Sequence, residues 1–268
     1  MLLATRSCTL LKILTALLLT FTTHAIAEDK GLTIAKEQKK RDLGWQDSIG
    51  EMTMILRSAN GRENTRSIDV KSLEVQAEGS GDKSLMVFNE PKDVAGTAFL
   101  TYSHINKPDD QWIFLPALKR VKRIASNKKT GSFMGSEFSY EDLSSFEVEK
   151  YTFTYLRDEP CPVSKGTCFV VQSVPNDKFS GYTQLISWIN HDEYLTEKVE
   201  FYDKKKTLLK VLTNQKHEKI NNQFWRPIQS IMENKRSGRA TVLLWENIQL
   251  KTGLTEQDFS QNNLKRAK

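Results

Sequence analysis

The sequence is poor in the residues that most often build catalytic or metal sites: it holds three cysteines and four histidines among 268 residues. Past residue 27 the histidines are His104, His191 and His217, far apart and each in a polar, turn-like stretch. There is no His-Glu-x-x-His pair, Gly-x-Ser-x-Gly elbow, phosphate-cradling glycine loop or Cys-x-x-Cys. No enzymatic activity, cofactor or metal ion is therefore expected. Long apolar runs are missing too, since none reaches the roughly 20 residues of a membrane-spanning helix. Repeats and Gly/Ser/Pro-rich linkers are absent, which leaves no composition break at which to divide the chain. The charge excess is mild, 39 Lys+Arg against 33 Asp+Glu, and gives no reason to expect nucleic acid as a partner.

What is present begins with an export signal. Arg6 and Lys12 carry positive charge, Ile13–Phe21 is weakly polar to apolar, and Ala25-Ile26-Ala27 offers a small-x-small cleavage site. Residues 1–27 are read as a signal peptide cleaved after Ala27, and residues 28–268 as one domain. A lipid-anchored product would need Cys at the junction, whereas Cys8 lies well before it. Without Arg6 and Lys12 the chain keeps 37 basic residues against 33 acidic ones, a net charge of +4. In an oxidising compartment Cys161 and Cys168 are expected to form a disulfide. Pro162 and Gly166 make the stretch between them a turn joining two strands. Closing so short a loop stabilises a fold by roughly 2–3 kcal/mol in the chain-entropy model. No nearby Cys or His completes a metal ligand set instead.

The exported part reads mainly as strands. Met52, Met54 and Leu56 alternate with polar neighbours, and Glu197, Val199 and Phe201 alternate with Lys198, Glu200 and Tyr202. Ile68 and Val70 alternate likewise, followed by Leu73 and Val75 with shifted parity, which predicts a bulge near Ser72. Further strands are predicted at 84–89, 98–103, 111–115, 120–125, 151–156, 169–174, 182–190, 208–213, 224–234 and 240–249. Many antiparallel strands with few helices imply a large curved sheet or a barrel. A short helix is expected over Thr33–Leu43, capped by Thr33 and stopped by Gly44. A second begins at the capping-box-like Ser139-Tyr140-Glu141-Asp142. Before it, Lys128 to Ser136 is an apolar-tipped loop that suits either a mobile lid or an ordinary connection.

Two surfaces invite a functional reading. Lys119, Arg120, Lys122, Arg123, Lys128 and Lys129 fall within eleven residues that contain no acid. Such a run is a solvated hairpin, or a contact for anionic lipid headgroups or an acidic partner protein. The apolar strand faces, with Met52, Met54, Leu56, Ile68, Val70, Phe88, Val199 and Phe201 as cavity candidates, exceed what two short helices can cover. An under-covered apolar concavity points to a ligand site, and Met suits an adaptable one.

Gly44-Trp45-Gln46-Asp47, Met52-Thr53-Met54 and the run Pro91 to Leu100 match the opening of a known family. The longest match is Trp112-Ile113-Phe114-Leu115-Pro116-Ala117-Leu118-Lys119-Arg120-Val121-Lys122-Arg123-Ile124, continuing through Phe133 to Leu143. In these stretches the chain resembles the outer-membrane lipoprotein-sorting protein family, a periplasmic group with a fold like the lipoprotein carrier LolA and the receptor LolB. The resemblance implies a mainly β, α+β fold: one strongly curved antiparallel sheet, a half-barrel wrapped around a helical lid. It also implies an apolar cavity for lipid or lipoprotein acyl chains, with Ser139–Phe146 and Thr33–Leu43 as covering helices. Phe133, Met134, Phe138, Tyr140 and Leu143 would belong to the lid. Lys119, Arg120, Lys122 and Arg123 would meet headgroups or a partner, through transient membrane contact or an inner-membrane exporter of the resistance-nodulation-division type. The cargo stays open between a lipoprotein and another lipid.

Overall fold

Residues 22–265 are described in a computed structural model, with side chains from Lys30 onward. Residues 1–21 of the signal-peptide reading lie outside these residues, while 22–27, with the expected cleavage site, fall inside them. Alternating residues become thirteen strands: β1 (Asp47–Arg57), β2 (Glu63–Leu73), β3 (Ser80–Glu90), β4 (Ala98–His104), β5 (Asp110–Leu115), β6 (Arg120–Ile124) and β7 (Tyr151–Pro160). They continue as β8 (Thr167–Pro175), β9 (Tyr182–Asn190), β10 (Thr196–Asp203), β11 (Leu208–Ile220), β12 (Phe224–Asn234) and β13 (Ala240–Leu250).

All thirteen form one antiparallel sheet in the order β6-β5-β4-β3-β2-β1-β13-β12-β11-β10-β9-β8-β7. Two meanders therefore meet at a central seam, where Met52 faces Trp245 and Met54 faces Leu243. The sheet is not closed, and β6 and β7 are its free edges. Register then fixes which side chains share a face, because the strand period is two. One face carries Met52, Ile68 and Phe88 in a row across β1, β2 and β3. The same face carries Phe99 and Ile113 on β4 and β5, next to Met86, and Val199 and Leu212 on β10 and β11, in the row that reaches Leu56 through Met232 and Thr241. This is the concave side, and its apolar residues form the largest core cluster. The opposite face of β3, β4 and β5 presents Leu85, Val87, Ala98, Leu100 and Trp112, which the C-terminal segment covers with Phe259 and Leu264.

Two features fill the concave side. Helix α1 (Thr22–Arg41) packs Ile34 and Ala35 against Phe153, Val171 and Ile189 of β7, β8 and β9. The connection from β6 to β7, residues 125–150, runs from one free edge to the other and drives Phe133 and Phe138 into the main core. A short helix α2 (Gln261–Leu264) ends the described chain.

Three sequence expectations change here. No bulge lies at Ser72: β1 and β2 pair without a break from Asp47–Leu73 to Arg57–Glu63, and the shift against β3 lies between Ser67 and Ile68. The parity change arises because Leu73 serves the convex cluster, so both faces of this sheet are covered. The helix expected over Thr33–Leu43 runs instead over Thr22–Arg41, with Thr33 in its interior. Gly31 does not break it; a Cβ there would meet the backbone nitrogen of Tyr155 at 2.6 Å and the carbonyl carbon of Thr154 at 2.8 Å. The missing side chain is what lets the helix lie on β7. Finally, the helix expected at Ser139–Phe146 is one 3-10 turn, Tyr140–Leu143, with the Ser139–Asp142 capping box formed. The cap could start a helix, but its Asp is committed to other partners described below and Ser144-Ser145 supply no apolar face to continue one.

The disulfide Cys161–Cys168 is present, with Cα atoms 5.0 Å apart at the β7–β8 hairpin. Buried Glu197 accepts the backbone N–H of Val163 at 3.0 Å and of Ser164 at 3.1 Å, so the turn is held to the sheet. Because Gly31 packs against immobile backbone, Gly31→Ala should destabilise the protein by about 1–3 kcal/mol. A thermal melt matching wild type would refute that account of the helix contact.

Candidate functional site

The crossing segment is attached to the concave floor mainly by polar groups. Lys210 of β11 is 3% exposed, on the same face as Phe201 and Leu212. Its ammonium lies 2.5 Å from the Asp142 carboxylate and donates to the Glu137 carbonyl at 3.0 Å. Asp142 also accepts the Tyr182 hydroxyl at 2.7 Å and the Ser139 N–H at 2.6 Å. Burial and the adjacent Asp142 charge hold the Tyr182 phenol well above its ordinary range, so it stays a neutral donor. Asn234 donates to Glu137 at 2.7 Å, Gln111 to the Tyr140 carbonyl at 2.8 Å and Arg239 to the Gly135 carbonyl at 2.8 Å. Arg66 of β2 donates to the Met134 carbonyl, and its guanidinium sits 5.9 Å above the Phe88 ring.

Between these attachments the segment is apolar. Phe133 is fully buried, with ring centroids 5.0 Å from Phe99, 5.8 Å from Phe88 and 5.6 Å from Tyr140. All five sequence-nominated lid residues, Phe133, Met134, Phe138, Tyr140 and Leu143, lie in or against the concave cluster. So do all eight cavity candidates: Met52, Met54, Ile68, Val70, Phe88, Val199 and Phe201 are buried there, and Leu56 packs against it.

Beside this packed part the concave side keeps an open cavity of about 700 Å³. That is within the roughly 300–1,000 Å³ of small-molecule sites. Its apolar wall is made by Phe138, Tyr182, Leu185, Phe201, Leu212 and Met232, with Ile124 at the β6 edge. Of the eight cavity candidates, Phe201 lines it; the other seven lie in or against the packed core cluster that Phe133 and Phe138 of the crossing segment enter. Sequence reading missed Leu185, Leu212 and Met232. Leu212 faces both Val199 and Met232 across the strands, so the strand register would have found them, but register is not legible from one strand's alternation.

The mouth is ringed by ion pairs that span the gap between the sheet edges. Lys129, just past β6, reaches Asp177 in the β8–β9 loop at 2.8 Å and Glu141 at 3.6 Å. Lys150, at the start of β7, meets Asp109 in the β4–β5 loop at 2.6 Å. Burial works against ionisation of Asp177, but the Lys129 hydrogen bond and the Phe179 N–H hold its carboxyl below the usual range. Further in, Lys39 of α1 lies 3.2 Å from buried Glu147. Asp82 sits near that pair, and burial pushes its carboxyl up to about 6 in spite of the Lys39 charge.

The four residues of the basic hairpin do not line the cavity, although the strand that carries them ends at its edge with Ile124. Lys119, Arg120, Lys122 and Arg123 are all exposed on edge strand β6 and the turn before it. Arg123 pairs with Asp110. A possible metal cluster is likewise disposed of: Glu197 lies near Cys161 and Cys168, but both sulfurs are spent in the disulfide.

Several known proteins are similar to this chain. A family profile described as an uncharacterized protein matches residues 80–266, and a comparison with curated proteins finds no match. A solved structure described as an outer membrane lipoprotein-sorting protein domain, from Vibrio parahaemolyticus, is 51% identical. The match covers 89% of this chain and 100% of that one, with a TM-score of 0.86. A DUF1329 family protein from Desulfovibrio piger is 31% identical over 89% of this chain and 99% of its own, with a TM-score of 0.83. A LolA superfamily protein from Nitrosomonas europaea shares the fold at 19% identity, covering 86% of this chain and 97% of its own with a TM-score of 0.68.

Two outcomes test this geometry. Lys210→Met leaves the buried Asp142 charge without its cation, and should cost about 3–5 kcal/mol, part of it recovered by adding Asp142→Asn, which removes the charge and keeps an acceptor for Tyr182 and Ser139. Equal losses in the single and double variants would show that the pair is not the latch. Asp82 prefers its proton in the folded state, so its contribution is fully present below the unfolded carboxyl pKa near 4 and is lost as pH rises through about 6. Asp82→Asn should therefore raise the melting temperature at pH above that window and leave it unchanged in acid. A pH-independent effect would contradict the assignment.

Proposed function

The chain belongs to the family of outer-membrane lipoprotein-sorting and DUF1329 proteins, and from this premise we propose that it is a periplasmic carrier of lipid or of lipoprotein acyl chains. The observation that carries the reading is the apolar cavity of about 700 Å³ on the concave face of an unclosed sheet. No described helix is long and apolar enough to cross a membrane.

In this reading the cavity holds one part of the cargo, and lifting the crossing segment exposes the rest of the concave stripe. Met52, Met54, Ile68, Val70, Phe88 and Val199 then become binding surface in the open state. Phe133 and Phe138 occupy in the closed state the place of acyl carbons. Burying an acyl chain contributes about 0.8 kcal/mol per CH₂, or roughly 11–13 kcal/mol gross for a common chain length. Displacing Phe133 gives back part of that, so net affinity is smaller than the gross figure and cargo exchange stays within reach. In this reading the direction of transfer is set by whichever membrane or partner offers the better apolar site.

The uncompensated hairpin at Lys119, Arg120 and Lys122 supports a second role, docking an acidic partner. An inner-membrane exporter would be one such partner, and reversal of these charges would then abolish co-purification with it. None of the relatives above is named for an exporter, so the carrier role stands first.

The carrier role is tested by native mass spectrometry of the protein purified from its own envelope, followed by lipid extraction. Wild type should carry an acyl-bearing adduct. Leu212→Trp, which fills the cavity from its wall, should reduce occupancy about tenfold or more. Empty wild type, or a filled cavity that still carries lipid, would overturn the proposal.

A further inference from the structure

The cavity mouth has a composition that the carrier role does not by itself require. Phe146 and Phe179 both line it, yet they are 39% and 41% exposed. Large aromatics are seldom left in water when they can be packed, and these two belong to separate loops flanking the opening. Phe146 stacks on Tyr151 at 6.1 Å and meets buried Phe153 edge-on at 6.2 Å, which fixes its ring at the rim. Phe179 carries the Lys178 ammonium 5.1 Å above its ring.

Around these rings the exposed charge is mostly positive, three lysines against one glutamate. Lys178 and Lys107 line the mouth and are exposed. The nearest carboxylate to Lys107, Asp110, is 4.0 Å away and already engaged by His104 and Arg123. Exposed Lys128 lies close by, since Thr130 of the same turn packs against Gly181, two residues past Phe179. On the acidic side, half-buried Asp109 is paired with Lys150, while half-buried Asp177 and Glu141 share Lys129 and keep one negative charge between them. Glu149 is the exposed acid that lines the mouth without such a partner.

We propose that this rim is a bilayer-docking surface: Phe146 and Phe179 enter the headgroup layer of an anionic membrane while Lys107, Lys128 and Lys178 meet lipid phosphates. The inference rests on the carrier reading, because it places the cavity mouth directly on the membrane. Acyl carbons then pass from bilayer to apolar wall without crossing water. Rings flanked by lysines match the interfacial anchors of membrane proteins, with an apolar body and a charged tip at one depth. Two separate aromatics around a hole do not make the contiguous apolar patch that a stable protein partner needs, so lipid is the occupant the surface fits. Docking of this kind assigns membrane contact to the mouth and not to the β5–β6 hairpin.

The experiment is co-sedimentation of the full exported protein with phosphatidylethanolamine vesicles that contain phosphatidylglycerol, or phosphatidylcholine in its place. Wild type should bind the anionic vesicles, less as salt rises, and an environment-sensitive dye on Phe179→Cys should report transfer to an apolar medium. Phe146→Ser with Phe179→Ser should weaken partitioning about tenfold or more. Lys107→Glu and Lys178→Glu should each weaken it about fivefold or more. Loss of binding only on reversing Lys119, Arg120 and Lys122 would move the contact to the hairpin and overturn the proposal. So would wild type that carries lipid yet ignores vesicles, a dye that stays in water, or rim variants that bind like wild type. Vesicle binding by a protein that purifies empty would instead keep the rim and defeat the carrier.

Discussion

A thirteen-stranded sheet that curls without closing must bury an apolar concave face with something other than its own strands. That requirement organises the rest of the molecule. Helix α1 covers the β7–β9 end, and it can do so because Gly31 lets backbone lie on backbone. The β6–β7 connection covers the main stripe with Phe133 and Phe138, and it is the one connection that joins the two free edges. What remains between these two covers is the cavity.

The way the cover is attached bears on what it can do. Apolar side chains hold it by area, but its path is set by Lys210, Asp142, Tyr182, Arg66 and Arg239. A buried ion pair contributes little net stability against a hydrophobic alternative, whereas breaking it one-sidedly is costly. Such a contact specifies one closed arrangement more than it deepens it. A cover built this way is seated in one arrangement, in keeping with the proposed carrier role. The edge-spanning pairs Lys129–Asp177 and Lys150–Asp109 work at the mouth in the same sense.

Much of the fold was legible in the sequence, for a simple reason. Each of the thirteen strands carries its own alternation or apolar content within some five to thirteen residues, so every one could be placed before any pairing was known. The errors fall where local pattern and tertiary surroundings disagree. Leu73 looked like a bulge because both faces of β2 have apolar work to do. The capping box at Ser139 looked like a helix start, and its hydrogen bonds do form, but Asp142 answers to Lys210 on a strand 68 residues away.

The candidate site divides along the same line. Composition and alternation alone determined a mainly β chain, a disulfide hairpin, and an apolar face rich in Met and Phe, because these depend on residue type and spacing within one strand. Which of those apolar residues are roofed and which are open was decided only by the tertiary structure. Met52 and Phe201 have the same strand pattern and both belong to the core cluster, yet Phe201 also lines the cavity and Met52 does not. The difference is where a 26-residue connection happens to cross the sheet, and that path is set by long-range pairs such as Lys210–Asp142 and Arg66–Met134, which no local spacing encodes.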